Sequence, residues 1–285
     1  MVLGTNDPTW CFAGEAVWRA LRTPDGPATM RFGQHGDRIT VEVWGAGAAW
    51  AAPRAAAMLG DPGPGELLAN HDHLFVRRLA RNHPGIRVGA SLTLVDSAQQ
   101  IILGQRVTAG EAVNAWRQMT RDHGSRAPGA EAPEGLMLPI PSSQLALLGT
   151  SGLHRYGIDG QRARAMIQIA RHRVRLDRLV SDPGHIDSEE LIRVLSLIAG
   201  IGPWTRTSLL STACGDPDAV IVGDLHLPNH VCWALTGTRG GDEQMHRVLE
   251  PFAPARGLAQ RLIARHSAAP PRRGPRYRPL PMTRM

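Results

Sequence analysis

The strongest constraint on the fold lies between Asp187 and Leu235. Asp187-Ser188-Glu189-Glu190 is a helix start, an acidic N-cap with a glutamate three residues on, and Leu191, Leu195 and Ile198 follow on one face. Gly200 is placed to end that helix in a left-handed cap, Gly202 permits a tight turn, and Pro203 suits the first position of a second helix. That helix runs to about Cys214, where Gly215 can cap it. Local rules therefore predict two helices joined by Ala199-Gly200-Ile201-Gly202-Pro203. Such a connection bares backbone amides at a helix N-terminus, which suits a phosphate. Many helical proteins also turn on Gly-X-Gly, so the hairpin alone fixes no function. Ala219-Val220-Ile221-Val222-Gly223 then leads to Asp224 and a third helix through Leu225, Leu227, Val231 and Leu235. Aspartate is a favoured N-cap, and most residues so placed only cap.

The chain before the hairpin divides by periodicity. Ala28 to Phe32 and Arg38 to Trp44 read as strands, with Gly33-Gln34-His35-Gly36-Asp37 as the hairpin turn between them. Ala48 to Leu59 reads as an alanine-rich helix stopped by Gly60-Asp61-Pro62-Gly63-Pro64-Gly65. From about residue 90 the pattern is helix after helix without a strand: Ser91 to Leu103, Glu111 to Arg121, and an amphipathic surface helix over Gln161 to Val180 with Met166, Ile169, Ala170 and Val174 on its apolar face. Between Gly124 and Pro141 an exposed Gly/Pro/Ala loop is expected. The predicted class is α+β: a small antiparallel α+β domain over 1–83, an all-α body over 84–267, and a Pro/Arg-rich tail over 268–285.

Composition narrows the function classes. A net charge of +7 favours a polyanionic partner, because basic side chains that neutralise phosphates supply most non-specific nucleic-acid affinity. All 32 basic residues are arginine, so no lysine exists to form a Schiff base. Cys11, Cys214 and Cys232 build neither a disulfide framework nor a four-cysteine metal site, which favours a reducing compartment. With no membrane-length apolar run and no signal-like start, a soluble cytoplasmic protein is expected.

Leu195-Ser196-Leu197-Ile198-Ala199-Gly200-Ile201-Gly202-Pro203-Trp204-Thr205, followed by Val222-Gly223-Asp224-Leu225-His226-Leu227, resembles the signature of the helix-hairpin-helix DNA glycosylases, most closely the 3-methyladenine DNA glycosylase II type. Ile102-Leu103-Gly104-Gln105-Arg106-Val107-Thr108 resembles the family's Ile-Leu-Gly-Gln helix, and Leu138 to Leu148 with Gly157 and Arg162-Ala163 resembles its next segment. The small front domain resembles the type's N-terminal domain. The likeness spans residues from about 25 to 265.

The resemblance implies a role for each matching residue. Asp224 falls on the catalytic carboxylate, and Trp204, Ser208 and Gln105 fall in the base pocket. Gly200, Ile201, Gly202, Pro203, Thr205, Arg106 and Arg206 fall on the DNA-contacting surface. Within that set the amides of Gly200, Gly202 and Thr205 hold a phosphate, and Arg106 occupies the wedge position that fills the gap in the duplex. The carbonyls of Ser196, Ile198 and Gly200 match those that hold a monovalent cation, Na+ or K+. No catalytic cofactor is implied. An iron-sulfur cluster is excluded because no four-cysteine run exists near the C-terminus.

The implied activity is base excision of alkylated purines resembling 3-methyladenine and 7-methylguanine from double-stranded DNA. The nucleotide swings out of the duplex, the N-glycosidic bond is hydrolysed and an abasic site remains. A nucleoid-associated monomer is expected, with the active-site cleft between two helical subdomains. Strand-cutting relatives use a lysine where this chain has Trp204, so a monofunctional enzyme without lyase activity is expected. The family's second pocket aromatic falls on Ser208 and its third near Ala255-Arg256, where no ring exists. Trp116, Tyr156 and Trp233 are the rings available to replace them, although such aromatics usually sit in the core. The alternatives are a glycosylase for bulky or deaminated bases and a lesion-binding protein without catalysis. His226 and His230 are close enough for a metal reading, but the spacing of a zinc site is missing.

Overall fold

The computed structural model describes residues 6–271. The chain opens on an antiparallel meander, β1 (Trp10–Ala13), β2 (Ala16–Thr23), β3 (Gly26–His35) and β4 (Arg38–Trp44), in the order β1-β2-β3-β4. The first two strands are additional to the two that the sequence pattern predicts. The turn between β3 and β4 is also shorter than expected. Gly33, Gln34 and His35 stay in the ladder opposite Thr40, Ile39 and Arg38, and the chain reverses at Gly36 with φ +59°. Gly33 lies close to its cross-strand partner, since a Cβ there would stand 3.1 Å from Thr40 Oγ1.

The alanine-rich stretch is two short helices, α1 (Ala48–Ala51) and α2 (Ala55–Leu59), joined by a 3-10 turn at Ala52–Arg54. Pro53 has no amide to continue the α-helical ladder. The Gly/Pro run that ends α2 also starts α3 (Gly63–Ala69), with Pro64 at its first turn, and α4 (Leu74–Asn82) follows.

Next come α5 (Leu94–Leu103) and α6 (Ala109–His123), the latter opened by a capping box between Thr108 and Glu111. The loop expected to be exposed is instead pinned by a short ladder, β5 (Ser125–Arg126) with β6 (Met137–Leu138). Its Ala127, Ala132, Leu136 and Leu138 are buried against Trp18 and Ala20. Apolar side chains in a Gly/Pro-rich segment had the sheet to cover. Then follow α7 (Ser142–His154), broken at Gly149 with φ +62°, α8 (Gly160–Arg171) and α9 (Arg173–Arg178). The single surface helix predicted over Gln161 to Val180 is thus two, separated at His172. Val174 is 69% exposed, whereas Arg162 is buried and donates to Asp159 and to the carbonyls of Leu103 and Gly157.

The remaining helices are α10 (Ser188–Ser196), α11 (Pro203–Leu209), α12 (Leu227–Thr236), α13 (Asp242–Leu249) and α14 (Arg256–His266). A π-turn over Leu210–Cys214 continues α11 and ends at Gly215, φ +71°. The described residues form two compact units: one holds the chain up to Ala55 with Leu92–Gly200, the other Ala56–Ser91 with the chain from Ile201 onward. In the first, every residue of α5 is buried, and the helix packs on α6, α8 and α9. In the second, Leu68, Val76, Val231, Met245 and Leu258 anchor one apolar core. Among the described residues no helix is long and apolar enough to cross a membrane. The tail expectation lies, from residue 272, outside the described residues.

Candidate active site

The hairpin forms as the glycine pattern requires. Asp187 Oδ1 caps α10 by accepting from Glu190 N at 2.9 Å. Gly200 has φ +88°, and a Cβ there would stand 3.0 Å from Ala165 Cβ, so backbone and packing both call for glycine. Gly202 is the extended N-cap of α11, Pro203 takes the first helical position, and Arg206 N donates to Gly202 O at 3.1 Å. Gln105 Nε2 donates to Gly200 O at 3.0 Å, which ties the end of the Ile-Leu-Gly-Gln segment to the hairpin. The next residue, Arg106, is exposed and holds φ +57°, a left-handed conformation unusual for a side chain of its size. Ser196 is exposed and Ile198 half-buried just before the turn, while Thr205 is buried beyond it.

Asp224 combines capping with a second contact. Its Oδ1 accepts from His226 N at 2.8 Å and Leu227 N at 2.9 Å, opening α12. Its Oδ2 accepts from Trp204 Nε1 at 3.2 Å. Three N–H donors therefore fix a half-buried carboxylate beside an indole ring. The segment leading to it is fastened residue by residue. Gln260 of α14 takes both backbone groups of Ile221 at 2.9 Å, Val222 N donates to Thr207 Oγ1 at 3.3 Å, and Gly223 N donates to Asp242 Oδ2 at 2.9 Å. Asp242 Oδ1 is buried without a hydrogen-bond partner among the described residues. Gln260, Thr207 and Asp242 escaped the sequence reading. Gln260 and Asp242 lie 36 and 18 residues beyond Asp224, out of reach of any local pattern.

The face of α11 that carries Trp204 is polar further along. Ser208, one turn on, is buried. Near the third expected aromatic, Ala255 is buried in the apolar core and Arg256 is bound to Asp218 and Glu250, whose hydrogen bonds hold its guanidinium in the charged form. Trp116 is fully buried and donates to Asp7, and Tyr156 is engaged by Asp122, His123 and Arg155, so both are committed elsewhere. Trp233 is half-buried on α12. His230 bonds Ser267, and no cluster of three or more His, Cys, Asp or Glu among the described residues could hold a metal ion.

No protein-family model and no curated protein matches the sequence. The fold has solved counterparts. A 3-methyladenine DNA glycosylase from Archaeoglobus fulgidus superposes with a TM-score of 0.75 at 19% identity, covering 92% of this chain and 91% of that one. An 8-oxoguanine glycosylase/lyase from Clostridium acetobutylicum in complex with duplex DNA gives 0.64 at 13% identity, over 86% and 85% of the two chains. A 3-methyladenine DNA glycosylase from Schizosaccharomyces pombe in complex with abasic DNA gives 0.54 at 17% identity, over 70% and 94%. A four-stranded meander, a helical body, and the Gly200–Pro203 hairpin ahead of Asp224 belong to one architecture: the chain has the fold of the helix-hairpin-helix DNA glycosylases.

Proposed function

We propose that this chain is a DNA glycosylase that binds duplex DNA, extrudes an alkylated purine and hydrolyses its N-glycosidic bond to leave an abasic site, without strand cleavage. The observation that carries this reading is the Asp224 carboxylate, held by His226 N, Leu227 N and Trp204 Nε1. Bond cleavage builds oxocarbenium-like positive charge on the sugar, and a fixed carboxylate stabilises that charge without reorganising. Trp204 offers a ring face for a base, and a cationic methylated purine on it gains cation–π attraction. The amides at Gly200, Gly202 and Thr205, with Arg206, grip the phosphate beside the lesion. Arg106 fills the gap in the duplex.

The chemistry of the chain favours simple hydrolysis. A lyase of the Schiff-base kind needs an amine beside the sugar, and Trp204 with a lysine-free sequence supplies none. No catalytic cofactor enters this scheme. The carbonyls of Ser196, the last residue of α10, and of Ile198 and Gly200 just beyond it lie where carbonyls lack helical donors, and so suit a structural Na+ or K+. Gly200 O already accepts from Gln105 Nε2 and keeps a second lone pair. A second reading, a glycosylase for a non-alkylated lesion, is favoured by buried Ser208 where an aromatic was expected. Incubation with methylated duplex DNA and chromatography of the released bases tests the proposal: free methylpurines without strand breaks are expected, and release of no base would overturn it.

A further inference from the structure

Beyond Trp204, the second hairpin helix and the turn that continues it reach an arginine of α14. Trp204, Ser208 and Ser211 recur at spacings of four and three, so they share one face of the second hairpin helix and its π-turn. Seven residues at 1.5 Å each place Ser211 about 10 Å along the axis from Trp204. Ser208 and Ser211 are both buried. Arg261 of α14 donates from Nη2 to Ser211 Oγ at 2.9 Å. No carboxylate pairs with it among the described residues. Desolvation and the neighbouring charge of Arg265 both push its guanidinium below the usual arginine range. Arg256, on the same helix, shows the contrast, since Asp218 and Glu250 saturate it. A half-buried guanidinium without a carboxylate partner has four further N–H groups to give.

We propose that Arg261 reads the edge of the extruded base and selects purines with oxygen at C6 over purines that keep a 6-amino group. This rests on the glycosylase reading above. Arginine only donates, and its fork matches the O6 and N7 acceptors of a 6-oxopurine. A 6-amino group would set donor against donor and leave both unpaired, which a site built to bond an oxygen rejects. Ser211 fixes the fork in place. Ser208 supplies a small hydroxyl where a ring would crowd that edge.

Two methylated bases provide a matched pair. Both 3-methylguanine and 3-methyladenine carry a methyl group at N3, and they differ at C6 in oxygen against amine. The full-length protein is incubated with DNA methylated by dimethyl sulfate, and the initial release rate of each base is divided by its abundance. The expected ratio favours 3-methylguanine by about tenfold or more. Arg261→Leu should slow 3-methylguanine by about tenfold and leave 3-methyladenine within about threefold. Equal or faster release of 3-methyladenine by the wild-type protein overturns the role of Arg261 while the glycosylase reading stands. An equal loss on both bases in Arg261→Leu does the same. The wild-type ratio is read without any variant, so a folding defect cannot mask the outcome. Release of neither base, nor of 7-methylguanine, overturns the glycosylase reading and the arginine's role together.

Discussion

Trp204 Nε1 donates to Asp224 Oδ2 at 3.2 Å, so the ring proposed to take the base also holds the carboxylate beside it. The two functions separate by substitution. Trp204→Phe keeps a ring and loses the donor, and a hydrogen bond to a charged group of about 1.5 kcal/mol predicts a roughly tenfold slower single-turnover release. Trp204→Ala removes both and should be slower again. Wild-type rates in Trp204→Phe would show that the indole only stacks.

Asp242 anchors the residue before Asp224. Asp242→Ala should leave Gly223 N without its acceptor and slow base release about tenfold, with little change in affinity for an abasic-site duplex. Asp242→Asn keeps an acceptor oxygen and should recover most of the rate. An asparagine variant as slow as the alanine variant would mean that the charge of Asp242, not its bond to Gly223, is what matters.

Arg106 is exposed, left-handed, and directly follows the glutamine bonded to the hairpin. Arg106→Ala should weaken binding to an abasic-site duplex at least about fivefold more than binding to intact duplex, since only the former has a gap to fill. Equal losses in a fluorescence titration would make Arg106 an ordinary phosphate contact.

A buried acidic pair predicts a pH effect on stability in the first unit. Burial and nearby Asp96 push Asp177 up to about 6, against the pull of Arg173 and the amide of Val95. Its folded value lies above the ordinary value of 3.8, so between these limits the native state holds the proton more tightly. Stability therefore falls as pH rises from about 4 to 6.5, by an amount on the order of 2 kcal/mol. Urea denaturation across that range should show the fall in wild type and a flatter profile in Asp177→Asn. Parallel profiles would contradict the assignment.

The site was legible where its signals are local. Gly200, Gly202 and Pro203 encode their own backbone conformations, and Asp224 carries a capping pattern that the structure retains. Asp242, Gln260 and Arg261 act across the tertiary fold, and nothing in their own neighbourhoods marks them. The front sheet was half legible because β2 is buried on both faces over Trp18 to Leu21, which removes the alternation that betrays a strand. The loop from Gly124 to Pro141 looks exposed in sequence for the opposite reason. Its Gly and Pro residues mark turns, but the leucines between them are covered by a sheet that lies more than a hundred residues earlier in the chain.

The catalytic role proposed for Asp224 is tested most directly by Asp224→Asn, which keeps the cap acceptor and the size of the side chain and removes the charge. On methylated duplex DNA the variant should release bases on the order of a thousandfold more slowly than wild type while binding abasic-site duplex equally well. Release at the wild-type rate would leave Asp224 as a helix cap and contradict the mechanism.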